Sequence, residues 1–324
     1  MYTFKKLQQI VDKHLNNLEL NNEPSELYEP IKYILEIGGK RIRPSLVLAA
    51  YNLFNDEVEN AIQPALALEV FHNFTLLHDD IMDKADLRRN QQTVHKKWGE
   101  NVAILSGDAM SIKAYELLGN IPEEFLPEVL KAFNITALQV CEGQQLDMNF
   151  EGRMDVSVNE YIEMIRLKTS VLIAVCLKIG AIMANATKTD AQKLYDFGLN
   201  LGLAFQLQDD YLDAYGDVHV FGKKIGGDIV ANKKTFLLTK AFETADEKTT
   251  NELKNLISDT DIGEEQKIKD VLAIYNQLNV DKLLKECMES YYDKAIQALE
   301  STSVEHDKNY ILKEFAGKLM NRES

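Results

Sequence analysis

The amino-acid sequence predicts an all-α protein, a helical bundle with its functional side chains directed inward. Three observations predict it. Apolar residues recur at helical spacing along nearly the whole chain, and the alternation of a half-buried strand is hard to find. Only six prolines and sixteen glycines interrupt 324 residues, of which 45% are hydrophobic. The pattern Asp-Asp-x-x-Asp occurs at 79–83 and again at 209–213, each time after an apolar helical run, as expected of groups lining a bundle interior.

Taken in order, "MYTFKKLQQIVDKHLNNLEL" reads as an amphipathic helix rather than a signal peptide. "LYEPIKYILEIGGKRIRPSLVLAAYNLF" holds two helices broken at Gly38-Gly39, with Pro44 at the start of the second. "NAIQPALALEVFHNFTLLHDDIMDKADL" is a long helix ending near an acidic cluster. "AILSGDAMSIKAYELLGN" and "PEEFLPEVLKAFNITALQVCEGQQLDMNF" are two more. "VNEYIEMIRLKTSVLIAVCLKIGAIMANA" and "DAQKLYDFGLNLGLAFQLQDDYLDAYGD" continue the series. The loop "VHVFGKKIGGDIVANKKTF" precedes a more polar helical tail. No short-period repeat or flexible linker divides the chain, so one domain over 1–324 is expected, with its motifs in 38–236 and the polar helical part in 237–324.

Charge narrows the function. Lys plus Arg total 36 against 51 Asp plus Glu, a formal net charge of −15, which argues against nucleic acid or an anionic membrane as partner. No stretch approaches the roughly 20 apolar residues of a membrane span. Cys141, Cys176 and Cys287 have no paired spacing, which suits a reducing cytoplasm.

At about 100° per residue, Asp83 lies about 40° and His72 about 20° from Asp79 on a helical wheel, with Asp80 about 100° round. Asp209, Asp213 and Gln206 repeat the arrangement. One such motif is usually a solvated helix end. Two, each preceded by apolar residues, point instead to magnesium, a hard ion that takes carboxylate oxygens and keeps waters that a phosphate can replace. "GGKRIRP", residues 38–44, sets Lys40, Arg41 and Arg43 at a turn entering a helix, where backbone N–H groups and guanidinium forks favour anions. Glu69 to His72, "EVFH", matches the Glu-x-x-His of di-iron bundles but lacks the second copy those need, and "GLNLG" at 198–202 reads as a close helix contact.

Together these motifs resemble the trans-isoprenyl diphosphate synthases, the family of farnesyl and geranylgeranyl diphosphate synthases. The match runs in the family's order through "GGKRIRP", "LLHDDIMD" with "RR", "EGQQLD", "KTS", "FQLQDDYLD" and "GKKIGGDIVANKK". The resemblance implies an isoprenoid-synthase-type bundle around a deep central cavity, usually homodimeric. It implies that Asp79, Asp80, Asp83, Asp209, Asp210 and Asp213 hold about three Mg²⁺ ions on the diphosphate of an allylic substrate (dimethylallyl, geranyl or farnesyl). Arg88, Lys168, Thr169, Gln206, Lys223 and Lys233 are implied as further contacts of that diphosphate, with Gln144 and Asp147 close by. Lys40, Arg43, His72 and Arg89 match the family's pocket for isopentenyl diphosphate.

The implied reaction is a head-to-tail condensation. The allylic carbon–oxygen bond breaks, cationic groups stabilise the departing diphosphate, and the isopentenyl double bond attacks the allyl cation. The departing diphosphate takes the proton, and an apolar cavity keeps water away. Phe74 occupies the family's place for an aromatic floor that limits product length, although the wheel turns it about 140° from Asp79 and favours Thr75, about 40° away. Geranylgeranyl diphosphate is the expected product, with farnesyl diphosphate next. Where the family continues "RRG-x-P-T", this chain reads "RRNQQT", and Asn90 is expected to take the left-handed conformation of the missing glycine. Two rivals are a class I terpene cyclase, which needs no second diphosphate pocket, and a silent regulatory subunit, which would typically have lost one aspartate cluster.

Overall fold

The structure is a computed structural model and describes all residues except 217–224, 260, 306 and 321–324. The described residues form two compact units, one from Met1–Asn134, Val175–Tyr195 and Thr302–Ile311, the other from Ile135–Ala174, Asp196–Ser301 and Leu312–Ser324.

In the first unit, α1 (Phe4–Asn16) starts on Thr3, whose hydroxyl accepts the Lys6 N–H. α2 (Ser25–Glu36) and α3 (Ile42–Asn52) are separated by the expected break, where Gly38, Gly39 and Arg41 have φ of 87°, 153° and 46°. α4 (Ile62–Met82) is central, largely buried over its first three turns, and packs against α3 and α6 (Glu100–Gly119). It stops where the carboxylates accumulate. Lys84 turns left-handed at φ 52°, and the Ala85 N–H returns to the Asp80 carbonyl at 2.9 Å.

Next comes a hairpin too short for any periodicity to announce, β1 (Leu87–Arg88) against β2 (Gln91–Gln92). Its two linking residues, Arg89 and Asn90, have φ of 51° and 62°, the signature of a tight two-residue hairpin turn. Asn90 thus takes the expected left-handed conformation. Thr93 then ties the loop down, its hydroxyl donating to the Ala85 carbonyl at 2.7 Å and its N–H to that of Asp86 at 3.1 Å. α5 (Val94–Trp98) follows.

α7 (Leu126–Glu151), α9 (Val171–Met183) and α10 (Lys188–Tyr215) each contribute residues to both units. In the second unit, α8 (Val158–Ile165) opens on a reciprocal cap between Ser157 and Glu160. The helix expected to run on from there is broken by one π-helical turn, Arg166–Ser170. Two glycines make room for that wider turn. A Cβ at Gly143 on α7 would lie 2.3 Å from the Lys168 nitrogen, and one at Gly202 on α10 would lie 2.8 Å from the Ser170 Cα. The close helix contact read from "GLNLG" is therefore real at Gly202. The stretch read as a loop contains the short α11 (Gly227–Val230); α12 (Phe236–Thr244), α13 (Glu247–Ser258), α14 (Glu264–Gln277) and α15 (Val280–Glu300) complete the core around Tyr161, Leu207, Phe236 and Tyr275. α16 (Tyr310–Met320) ends the described chain.

Candidate active site

Each unit carries one acidic motif and part of the basic set. In the first, Asp79 is partly buried and Asp83 exposed one turn later, at the end of α4. Asp80 points differently: it is 3% exposed, and both its oxygens accept from Arg88, at 2.7 Å from Nε and 2.8 Å from Nη2. That two-point contact fixes Arg88 at the base of the hairpin, beside Arg89.

The basic turn lies against the same helix. Arg43 donates from Nη1 to His72 Nε2 at 3.0 Å, so this nitrogen is the acceptor and the ring proton sits on Nδ1. Burial, then the nearby Arg43, Arg89, Arg88 and Arg41, hold His72 well below the usual imidazole range. Burial also lowers Arg43 and Arg89 from their ordinary values. Gly39 presses on Arg89, where a Cβ would sit 2.7 Å from Nη1. Lys40 is exposed at this turn. Arg43 and Arg89 thus set positive charge around a neutral His72, with Lys40 exposed on the same turn as Arg43. Arg41, read from sequence as part of the anion-binding turn, instead faces inward and pairs with Glu69 at 2.7 Å.

Phe74 belongs to an aromatic cluster, its ring 5.5 Å from Phe71 and 4.7 Å from His78. Gly107 on α6 leaves the space that His78 fills to reach the Ile104 carbonyl. Thr75 donates its hydroxyl to the His72 carbonyl at 2.8 Å.

In the second unit, a pocket is lined by Asp147, Lys168, Thr169, Gln206, Asp210 and Lys233, among others. The π turn presents Lys168, which pairs with Asp147 at 2.5 Å, and Thr169, whose hydroxyl lies 3.5 Å from Gln206 Oε1. Single π turns inside α-helices recur at functional sites because they redirect side chains. Gln144 is partly buried one turn before Asp147. Asp209 and Asp213 are partly buried on α10, whereas Asp210 is 4% exposed and accepts from the Tyr161 hydroxyl and the Phe236 N–H. Asp213 accepts the Asp228 N–H at 3.0 Å, and Asp228 pairs with Lys233 at 3.2 Å. Lys223 lies outside the described residues.

Tyr161 and Asp228 are the residues that sequence reasoning missed. Asp228 stands inside the quoted "GGDIVANKK", so its link to Lys233 had a local signal; Tyr161, buried on α8, had none.

The donor chemistry suits magnesium: Asp79, Asp83, Asp209 and Asp213 offer hard oxygens on surfaces that are at least partly open. Among the described residues no three carboxylate, imidazole or thiolate groups converge into a closed cage. Mg²⁺ is usually held by one or two carboxylates and completed by water and phosphate, so open pairs are the arrangement it needs.

Burial, reinforced by nearby Asp228, pushes Asp210 up to about 7, against 3.8 for an ordinary aspartate. Between those values the folded protein keeps a proton that the unfolded chain has lost. The resulting stabilisation is complete below about 4 and is lost as pH rises through about 7. Metal-free protein is therefore expected to lose melting temperature over that window relative to its Asp210→Asn variant, whose curve lacks this component; parallel curves for the two proteins would contradict it.

Comparison with known proteins shows the family. A family model described as polyprenyl synthetase matches residues 24–275. This chain belongs to the polyprenyl synthetase family. It is similar to the geranylgeranyl diphosphate synthase of Methanosarcina mazei, 38% identical over 293 residues that cover 86% of this chain and 90% of that one. It is equally similar to the short chain isoprenyl diphosphate synthase of Methanothermobacter thermautotrophicus, 38% identical with 86% and 85% covered. A solved structure titled geranylgeranyl pyrophosphate synthase superposes with a TM-score of 0.95 at 45% identity, covering all of both chains. The fold is the all-α isoprenoid-synthase fold, and the polyprenyl synthetase described here is a chain-elongating trans-prenyltransferase.

Proposed function

We propose that this enzyme condenses isopentenyl diphosphate with an allylic diphosphate, releasing geranylgeranyl diphosphate, with farnesyl diphosphate as the alternative product. The observation that carries this reading is the second anion pocket. Arg43, Arg89 and Lys40 around a neutral His72 provide for a diphosphate separate from the one served by the aspartates, which a terpene cyclase would not need. Both aspartate motifs are complete, unlike those of a silent subunit.

In this reading residues 1–324 work as one functional domain, and the family pattern assigns both acidic motifs to the allylic diphosphate. About three Mg²⁺ ions, held chiefly by Asp79, Asp83, Asp209 and Asp213, would supply charge neutralisation of the leaving diphosphate. Asp80 and Asp210, buried and already paired, stand behind them and orient Arg88 and the first turn of α12. Lys168, presented by the π turn and steadied by Asp147, Arg88, and Lys233 beside Asp228 direct their charge at the diphosphate oxygens; Thr169, Gln206 and Gln144 donate hydrogen bonds there. Lys223 is assigned the same role from the family pattern alone. His72 accepts from Arg43 and so aims that guanidinium at isopentenyl diphosphate. Phe74, backed by Phe71, closes the channel that receives the growing chain, with Thr75 beside it.

The enzyme works as a homodimer in this reading, supported by an apolar side of α6 on which Ile104, Leu105, Ile112 and Tyr115 are 44%, 59%, 69% and 43% exposed. Three cysteines outside any disulfide suit the cytoplasm, and no helix among the described residues is long and apolar enough to cross a membrane.

Incubation with isopentenyl diphosphate, Mg²⁺ and each of the three allylic primers, followed by chromatography of the dephosphorylated products, tests the proposal. Twenty-carbon alcohol is expected from all three primers, and longer chains from Phe74→Ala. Failure to extend any primer would overturn the reading; unchanged products from Phe74→Ala would remove that residue from length control.

A further inference from the structure

We infer that Arg41 and Glu69 form a buried strut that sets the geometry of the isopentenyl diphosphate pocket without touching the substrate. The inference rests on the pocket assignment just proposed for Lys40, Arg43, His72 and Arg89.

Two rungs join the turn before α3 to α4. Arg41 meets Glu69, and two residues later Arg43 meets His72, three residues after Glu69 on the same helix. The Glu-x-x-His spacing, which matched a metal motif in the sequence, thus receives two arginines. The first rung is the buried one, with Arg41 7% and Glu69 4% exposed. The Arg41 guanidinium is held at three points: Glu69 Oε1 at 2.7 Å, the Leu35 carbonyl at 2.6 Å and Asp12 Oδ1 at 3.2 Å. Glu69 is held in turn by Asn73, 1% exposed, whose side-chain amide donates to its Oε1 at 3.2 Å and its carbonyl at 2.8 Å.

Arg41 has a left-handed backbone at φ 46°, a conformation that a side-chain-bearing residue keeps only where its surroundings over-determine it. The three-point grip does so. Residue 41 lies between Lys40 and Arg43, so its φ and ψ set the directions in which both side chains leave the turn. A buried ion pair adds little net stability over an apolar pair of similar volume, because desolvation offsets the attraction. What an apolar pair could not reproduce is the fixed fork. Arg41 is accordingly a positioning residue.

The test is the charge-balanced replacement Arg41→Met/Glu69→Leu, which leaves the net charge around the pocket unchanged. The double variant is expected to keep wild-type helicity while KM for isopentenyl diphosphate rises about tenfold, as expected when a binding group is misplaced by a fraction of an ångström. KM for the allylic primer and kcat at saturating isopentenyl diphosphate are expected to stay within about twofold on the same argument. Arg41→Lys keeps the charge and a partner for Glu69 but not the fork, and carries the test if the double variant fails to fold: the same selective rise is expected, severalfold in size. An unchanged KM for isopentenyl diphosphate in a folded variant, or an equal rise in both KM values, overturns the strut. Arg43→Ala is measured alongside. If it raises KM for isopentenyl diphosphate and the strut variants do not, only this inference falls; if it does not, the pocket assignment falls, and the strut with it.

Discussion

Asp79→Ala and Asp209→Ala are each expected to lower kcat/KM on the order of 10³-fold, the scale of removing a preorganised stabiliser of developing charge, while the helical fold survives. Both residues are only partly buried near the C-terminal ends of their helices, so neither replacement opens a core cavity. Circular dichroism and thermal melting should match the parent protein while product formation from isopentenyl diphosphate and farnesyl diphosphate disappears. Asp80→Ala makes an informative contrast. It strips both acceptors from Arg88, so it should disturb the hairpin and the melting temperature as well as the rate. Full activity in both the Asp79 and Asp209 variants would end the idea that these motifs recruit the cation.

Gly143→Ala should produce the second large effect, and through sterics alone. The new methyl would lie 2.3 Å from the Lys168 nitrogen and 2.7 Å from the Leu167 carbonyl carbon. Both are backbone atoms, so no rotamer change relieves the clash, and the π turn must move. Overpacking of this kind costs about 1–3 kcal/mol or more, which for a chain of this size lowers the melting temperature by several degrees. The same movement carries Lys168 away from Asp147, so kcat should fall further than the lost stability accounts for. Gly152→Ala, just past the end of the same helix, where an added Cβ would meet nothing within 4 Å, is the matched control and should be near neutral. Equal behaviour of the two variants would show that the tight contact does not hold the turn.

The sequence made the acidic motifs and the basic turn legible because each is local: spacing along one helix decides which groups share a face, and two glycines decide where a helix breaks. The π turn was not legible, since its space is created by glycines from "EGQQLD" and "GLNLG", 25 and 34 residues from Lys168. The hairpin at 87–92 escaped because two-residue strands show no alternation. Arg41 looks like an anion ligand in the sequence because composition cannot tell an outward arginine from one turned inward by a left-handed backbone. Its partner Glu69 matches half of a metal motif, and only tertiary packing distinguishes the two roles. Asp80 and Asp210 sit mid-motif like ordinary ligands in the sequence, and their burial and pairing emerge only once Arg88, Tyr161 and Phe236 have been brought to them.

The suppressed basicity of His72 has a consequence for how the enzyme meets acidity. An imidazole held neutral below its usual range gives its immediate surroundings a constant electrical character around neutrality, so it does not bring to its pocket the titration that a histidine usually brings. In the reading proposed above, a change of isopentenyl diphosphate affinity near neutrality then comes from the terminal phosphate of the guest and not from this imidazole.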